Sequence, residues 1–396
     1  MSPLAILSLI TAIAAAFSML WWTVFLCRLG RMLASGMSLR SGLKDSVEES
    51  PLSIVVPAHN EEHVIGTCID SLLAQRWQDL EVIVVADRCT DATESIVSER
   101  AARDPRLKLI RNRECPQSWA GKCHAARLGA EYATGGWIAF VDADTQAHPD
   151  LMTAAVTEAS RREAGLLSLL SDLTSHHWFE RSTQPVAMMA LLSLFPPDAV
   201  NRDDRSRTFA NGQFMLFDRE WYDRIGGHAA VKNDLLEDIA FAGHMVDAGG
   251  RVNILRSDGL LSCSMYASHE DFLRGWMRIF LEATRRQCKV LRKHAIRQLL
   301  FGIFLPVLCI LAVVFGSLVG GGLGWTAQIL GVLGLGSQVI SLLAIYRVAR
   351  QPLWTVLLYP VGAWEVAIAM RWADRALRKG EPVKWGGREY VLEPGD

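Results

Sequence analysis

The sequence lacks a charge bias of either sign. Its 41 Lys and Arg nearly balance 42 Asp and Glu, for a formal net charge of −1. The global basic field that would hold nucleic acid is therefore missing. The eight cysteines, Cys27, Cys68, Cys89, Cys115, Cys123, Cys263, Cys288 and Cys309, never form a C-x-x-C pair. That spacing points away from a zinc site or a disulfide framework and fits reduced thiols. His176 and His177 lack a second ligand pair at helical spacing, which argues against zinc there as well. Neither an internal repeat nor a low-complexity run occurs. Apolar residues, by contrast, make up 50% of the 396, and mean hydropathy is +0.17. This composition excludes disorder as the main description. The apolar residues are also unevenly spread, which argues against a purely soluble enzyme.

The first 27 residues carry no charged side chain. Leu4 to Leu26 is long enough to cross a hydrocarbon core. It is too long for a signal-peptide core, and no A-x-A-like cleavage site ends it before Arg28, so residues 1–27 read as a retained anchor. Arg28, Arg31, Arg40 and Lys44 follow, which places that side in the cytoplasm. A second uncharged block runs from Leu299 to Tyr346 and fits two crossings, residues 298–346, joined by a short turn at Gly320–Gly324. Arginines and lysines flank both its ends, as two crossings from the cytoplasm require. A third apolar stretch, residues 353–370, gives conflicting signals. Its length permits a crossing. However, Pro360 lies within it, Glu365 is costly in lipid, and the tail 371–396 is basic. An interfacial or re-entrant segment is the expectation.

Residues 46–297 form a block large enough for one substantial core. Apolar runs at Leu52–Val56, Glu81–Val85, Leu107–Ile110 and Trp137–Val141 alternate with helical spacing at His63–Gln75, Ala92–Ala102 and Lys122–Tyr132. Strands alternating with helices imply a mostly parallel α/β sheet with helices on both faces. Ligands of such sheets bind beyond the carboxyl ends of the strands. The run Pro185–Leu192 reads as a core helix or, beside so many anchors, a membrane-surface helix.

The polar clusters collect at those strand ends. Pro57-Ala58-His59-Asn60-Glu61-Glu62 suits nucleotide recognition or, equally, turn and helix-capping chemistry. Asp87 can accept hydrogen bonds from a base or ribose, while Thr90 or Asp91 can cap the next helix. Gly121-Lys122 opens a helix, where a lysine attracts phosphate. Asp142-Ala143-Asp144 puts two carboxylates on one side of an extended segment. Like charges so close call for a cation, and oxygen ligands suit Mg²⁺ or Mn²⁺ at a diphosphate. The alternative is a solvated turn. Glu237-Asp238 opens a helical stretch, where Asp238 is a general base or a first-turn capping charge. Arg274-Gly275-Trp276-Met277-Arg278 precedes the second membrane block, and its arginines suit either a diphosphate or lipid headgroups.

In this order the clusters resemble glycosyltransferase family 2, over residues 52 to about 280. The resemblance implies the GT-A fold, a Rossmann-like α/β domain. It implies that Pro57, Ala58, Glu61 and Asp87 line the base and ribose, with Lys122 near the nucleotide. Asp142 would meet the ribose or the metal, and Asp144 would hold the divalent cation, Mg²⁺ or Mn²⁺. Arg278 would bind the diphosphate, and Asp238 would deprotonate the acceptor in a single inverting displacement. Two departures stand out. The family's Asp-Asp-Gly-Ser is Ala86-Asp87-Arg88-Cys89 here, and its Gln-x-x-Arg-Trp survives only in fragments around Trp276. Within the family the anchors, Pro116–Lys122 and the tail Val383–Tyr390 are most similar to the hopene-associated and ceramide glucosyltransferase-like groups.

The expected protein is thus a multi-pass inner-membrane glycosyltransferase with a cytoplasmic catalytic domain. It would move a sugar from a nucleotide sugar, a UDP-sugar by the resemblance, to a hopanoid, ceramide or carotenoid-type lipid. Nucleic acid is not an expected partner. A polyprenyl-phosphate sugar transferase differs only in acceptor. A polysaccharide synthase would need more crossings for a pore. An inactive scaffold would have no chemical need for Asp87, Asp142, Asp144 and Asp238 together. A transporter does not fit a membrane block without charge.

Overall fold

The computed structural model describes residues 1–45, 47–202, 208–232, 234, 236–385, 388–390 and 392–395. Ser46, at the expected domain boundary, and Gly386 and Gly387 of the tail motif lie outside the described residues. In chain order the elements begin with α1 (Pro3–Ala34), β1 (Leu52–Ala58), α2 (Ile65–Leu73), β2 (Leu80–Asp87), α3 (Thr93–Ala101), β3 (Leu107–Asn112), α4 (Gly121–Tyr132) and β4 (Trp137–Val141). Then follow β5 (Thr145–Ala147), α5 (Leu151–Arg162), β6 (Leu166–Leu170), β7 (Asp172–Leu173), α6 (Trp178–Leu194), α7 (Pro197–Val200), β8 (Phe214–Asp218), α8 (Arg219–Arg224) and α9 (Gly227–Ala230). The chain continues through α10 (Glu237–Asp247), β9 (Val252–Arg256), β10 (Leu261–Cys263), α11 (His269–Ala283) and α12 (Cys288–Leu299). It closes with α13 (Leu305–Val319), α14 (Gly321–Val348), α15 (Tyr359–Lys379), β11 (Val383–Trp385) and β12 (Arg388–Tyr390).

Continuous apolar runs make the strands. Ile54–Val56 and Val82–Val85 are fully buried, as expected where helices cover both faces of a sheet. Seven strands pair in the order β3-β2-β1-β4-β8-β6-β9. The β1–β2, β2–β3, β1–β4 and β6–β9 pairs are parallel, and β8 runs antiparallel to both its neighbours. A small sheet, β5-β10-β7, stands beside it. Helix α2 buries Ile65, Cys68, Ile69 and Leu72, the i, i+3, i+4, i+7 stripe of an amphipathic helix. The strand order reverses at β1, with β2 and β3 on one side and β4 on the other. That reversal opens a crevice at the carboxyl ends of β1 and β4.

Four helical stretches are long and apolar enough to cross a membrane: Pro3–Ala34, Cys288–Val319, Gly321–Val348 and Leu353–Lys379. With basic residues flanking them, they make this a multi-pass membrane protein with its α/β domain on the cytoplasmic side. Helices α1, α13 and α14 pack as one bundle. Small residues allow the close approach: a Cβ on Gly316 would lie 2.5 Å from the Gly324 carbonyl oxygen, and one on Gly331 would lie 2.6 Å from that of Cys309. Ile10, Ile13, Leu20, Ile310, Leu318 and Val332 remain exposed and face lipid. The expected turn is present at Gly320, whose φ of 65° suits glycine. Helix α12 runs into α13 through a π-helical turn at Leu300–Phe304. Pro306, which has no N–H to donate, follows this turn at the start of α13, and a π turn re-routes the interrupted ladder.

The fourth stretch has different partners. It begins as a 3-10 turn, Leu353–Leu358, so Pro360 sits in the first turn of α15 rather than kinking a helix. Helix α15 packs mainly on α12, α6 and α11 and continues through Arg371, Arg375 and Lys379, residues expected in the tail. Its Glu365 accepts from the Thr183 hydroxyl on α6 and lies 3.1 Å from His269 Nε2 on α11. The apolar run Pro185–Leu192 is inside α6, which is mostly buried. Beyond α15, the Gly395 amide donates to the Arg286 carbonyl oxygen at 3.0 Å.

Gly129 on α4 lies against β1, where a Cβ would collide with the Val55 side chain. Alanine favours a helix over glycine by about 1 kcal/mol, whereas overpacking costs about 1–3 kcal/mol. Gly129→Ala is expected to lower the thermal midpoint of the detergent-purified protein. A raised midpoint would show that α4 has room to move.

Candidate active site

Asp142 and Asp144 follow β4 directly. The burial alternation of the strand persists past its end: Val141, Ala143 and Thr145 are buried, while Asp142 and Asp144 are half-buried on the other side. The Asp142 carbonyl oxygen accepts from the Thr145 hydroxyl at 2.8 Å, and the Asp142 amide donates to the Gln213 carbonyl oxygen at 3.2 Å. The Ser264 amide, just past β10, donates to the Asp144 carbonyl oxygen at 3.1 Å. Both carboxylates therefore project from a backbone pinned by three segments.

Lys122, in the first turn of α4, lies among carboxylates. Its Nζ is 2.7 Å from Asp142 Oδ1 and 2.9 Å from Glu237 Oε1. Burial opposes the charge, but Asp142 and Glu237 hold it well above the usual lysine range. Glu237 opens α10 and is held below the ordinary range by Lys122 despite its burial. The next residue, Asp238, accepts from the Gly212 amide through Oδ2 at 2.7 Å and from the Ile239 amide through Oδ1 at 2.8 Å. Those bonds aim it from the helix start at the loop before β8. Burial, then the Glu237 charge, push the Asp238 carboxyl up to about 7.

Asp144 is also pushed up to about 7, by burial first and then by Asp142 and Glu61. Its Oδ1 is buried without a hydrogen-bond partner among the described residues. Glu61, beyond β1, rises to about 7 through burial, Asp142 and Asp91. Arg278 is buried on α11. Burial lowers it, while Tyr266, Glu237, Asp238 and Asp142 draw it up. Glu61, Lys122, Asp142, Asp144, Asp238 and Arg278 thus share one electrostatic cluster, joined by Glu237.

A second group surrounds Asp87 at the end of β2. Arg88 Nη2 donates to Asp87 Oδ2 at 2.6 Å, Arg88 Nε donates to both oxygens, and Asn112 Nδ2 donates to Oδ1 at 2.6 Å. Asn112 also lies 3.3 Å from His124 Nδ1 on α4. A Cβ on Gly121 would lie 2.6 Å from Arg88 Nη2, so the start of α4 abuts this ion pair. Pro57 is half-buried at the end of β1, and Ala58 is buried in the core. The rest of that loop ties strand ends together. Asn60 Oδ1 accepts from the Thr90 amide, Asp91 from the Glu62 amide, and Glu62 from the Ala92 amide, at 2.8–3.0 Å.

Sequence reading passed over several of these residues. Asn112 could have been found as a polar residue at a strand end. Gly212 and Tyr266 carried no local signal, because only tertiary packing brings their loops to the site.

The reversed strand order, the crevice and the paired carboxylates define a GT-A-type α/β domain. Residues 53–226 match Glycosyl transferase family 2. Among curated proteins, the uncharacterized glycosyltransferase YibD of Escherichia coli is 35% identical over 108 residues, 27% of this chain and 30% of that protein. The 4,4'-diaponeurosporenoate glycosyltransferase of Staphylococcus aureus is 26% identical over 228 residues, 57% of this chain and 59% of that protein. The chain therefore spans less than two thirds of either relative. Among solved structures, the mannosyltransferase PcManGT of Pyrobaculum calidifontis with GDP-Man and Mn²⁺ is 20% identical, with a TM-score of 0.46, covering 91% of this chain and 97% of that one. S. aureus TarS is 16% identical, with a TM-score of 0.42, covering 86% of this chain and 60% of that one.

Lys122→Met would leave Asp142 and Glu237 facing each other without their cation. Breaking a buried pair costs on the order of 3 kcal/mol, and the protein is expected to unfold at lower denaturant. Adding Glu237→Gln should recover part of the loss. An unchanged midpoint in the single variant would mean that Lys122 does not hold the cluster together.

Proposed function

We propose that this protein is a membrane-bound inverting glycosyltransferase that moves a sugar from a nucleotide sugar to a lipid-type acceptor at the cytoplasmic membrane face. The observation that carries the reading is the cluster itself. Asp142 and Asp144 leave the strand end at the crevice, Asp238 is aimed at the same region by two backbone amides, and a membrane bundle is attached to the domain. The donor nucleotide is UDP by family resemblance. The similarity to 4,4'-diaponeurosporenoate glycosyltransferase favours a carotenoid-type acceptor over a hopanoid or ceramide.

The residues suit a divalent cation, Mg²⁺ or Mn²⁺. Among the described residues no group of three or more His, Cys, Asp or Glu forms a ready cage. Hard cations at phosphates are commonly held by one or two carboxylates with phosphate and water completing the shell. The orphaned Asp144 Oδ1 fits that pattern, with Asp142 beside it. When bound, the cation would neutralise charge on the leaving diphosphate.

The chain's own residues supply the rest. Glu61, Asp87, Pro57 and the backbone at Ala58 frame the nucleoside, and Lys122 opposes the burial that raises the Asp142 carboxyl. Asp238 accepts the proton of the acceptor hydroxyl as its oxygen forms a bond to the anomeric carbon. The bond from that carbon to the diphosphate oxygen breaks, and the electron pair leaves with the nucleoside diphosphate, towards Arg278. One displacement inverts the anomeric centre.

We further propose that only α1, α12–α13 and α14 cross the bilayer, with α15 in the cytoplasmic interface. Glu365 bonded to Thr183 on α6 and facing His269 on α11 at 3.1 Å, and Gly395 bonded back to Arg286, support this reading. A C-terminal reporter fusion is expected to be cytoplasmic, and an exterior signal would overturn the placement.

Purified protein with UDP- and GDP-sugars, Mn²⁺ and a bacterial lipid extract is expected to label a lipid. Asp144→Ala and Asp238→Ala should each abolish labelling. Transfer by either variant at the wild-type rate would remove its residue from the mechanism, and no donor binding at all would favour an inactive scaffold. The base must be ionised, so kcat/KM should rise with pH through about 7, with Glu61 adding to that limb. Stability runs the other way. Folded Asp238 keeps its proton after the unfolded carboxyl, near pH 4, has lost it. Its contribution is therefore full below about pH 4 and is lost as pH rises towards 7.

A further inference from the structure

One face of α15 and of the 3-10 turn before it is left uncovered by the fold. Leu357, Val361, Trp364 and Trp372 are exposed, Leu357 by 81% and the two tryptophans by 53% and 50%. With half-buried Ile368 between them, they recur every three or four residues and form one stripe. The opposite face, including Ala363, Val366, Met370 and Ala373, is buried. The stripe ends at a groove where Ile368 and Trp372 meet Arg371, Arg375 and Lys379 of α15 and Arg292 of α12, with Arg378 and Asp374 completing the wall.

The groove keeps a positive balance. Asp374 pairs with Arg378 at 2.5 Å and faces Arg292 at 3.7 Å. Glu381 stands 4.0 Å from Arg375 and 3.8 Å from Lys379. Five cations therefore face two carboxylates. Its depth is set by α12, which runs on into the membrane-spanning α13. Arg292 precedes Leu299, the first residue of the apolar block, by about 10 Å of helix rise. That rise puts the Arg292 backbone just beyond the headgroup layer, roughly 5–8 Å thick on each side of the hydrocarbon, and its long side chain can reach back into it. Cations at headgroup depth beside an apolar stripe complement an anionic phosphate that carries acyl chains.

We propose that the groove between α12 and α15 binds the headgroup of an anionic phospholipid of the cytoplasmic leaflet, with its acyl chains along the Trp364–Trp372 stripe. This site is separate from the sugar-transfer cluster, and it rests on the interfacial placement of α15. It holds the domain at a fixed height on the bilayer and makes its seating depend on leaflet charge.

The test uses the full-length protein in nanodiscs with brominated acyl chains as quenchers. The signal is the fluorescence difference between wild type and Trp372→Phe. Brominated phosphatidylglycerol diluted in phosphatidylcholine is expected to quench that signal more than the same fraction of brominated phosphatidylcholine. Arg371→Gln with Arg375→Gln spares the partners of Asp374 and should lower the preference by roughly fivefold per cation removed. Equal quenching by both lipids, unchanged in the double variant, would overturn the headgroup site while leaving α15 at the interface. No quenching by either lipid would overturn both the site and the placement. Retained nucleotide-sugar hydrolysis in the double variant shows that it is folded.

Discussion

The ion pairs of Lys122 with Asp142 and Glu237 are the constraint on which the site depends. Three elements that are remote in sequence, the start of α4, the end of β4 and the start of α10, place their charges together in a half-buried crevice. Unit charges 4 Å apart interact by roughly 4 kcal/mol at an effective dielectric of 20, and the pairs here are closer. The attraction offsets the desolvation of a lysine and two acids only because every partner is present. Lys122 holds Glu237 below the ordinary range and pulls Asp142 down, although burial still leaves Asp142 raised. Burial and the charges of Asp142 and Glu237 push Glu61, Asp144 and Asp238 up to about 7. The cation thereby sets Glu237, held charged, apart from the carboxylates that burial and its neighbours raise.

The membrane part and the catalytic part meet through close approach rather than through a linker. A Cβ on Gly302, in the π turn, would collide with Ala363, and one on Gly362 would collide with the Ser182 carbonyl oxygen. Helix α15 is thus wedged between the membrane-entering helix and α6. Glu365, costly on its own in lipid, instead accepts from Thr183 and faces His269. Because His269 begins α11 and Arg278 lies on the same helix, the element that contacts the membrane-proximal wedge also carries a cluster residue.

Much of the α/β half was legible in the sequence because both its periodicities are local. Apolar runs at 52–56, 81–85 and 137–141 became β1, β2 and β4 with extensions of a few residues at most. Uncharged runs likewise marked the bundle and its glycine turn. The site residues were legible only as strand-end polar clusters, since neither the Lys122–Glu237 pair nor the Gly212–Asp238 bond leaves a trace at short range. Helix α15 was ambiguous for the same reason. Hydropathy reports what a segment can be buried in, and protein and lipid are alike to it. What distinguishes them is where Glu365 finds its partners, which is a tertiary fact.

Asp87 shows how a single substitution alters a strand-end carboxylate. Two carboxylate oxygens offer about four acceptor positions. Arg88 and Asn112 direct four donor contacts at them, all within 3.2 Å. Arg88 stands where the resembling family has glycine, and it adopts a φ of 50°, a conformation glycine takes without strain. An arginine held there at some backbone cost needs a compensating interaction, and the bidentate pair with Asp87 is one. The carboxylate is thereby preformed and oriented but almost fully occupied. For Asp87 to receive a nucleotide base, the Arg88 guanidinium has to exchange partners. The guanidinium already abuts Gly121, at the opening turn of α4, where the phosphate-attracting end of the helix begins.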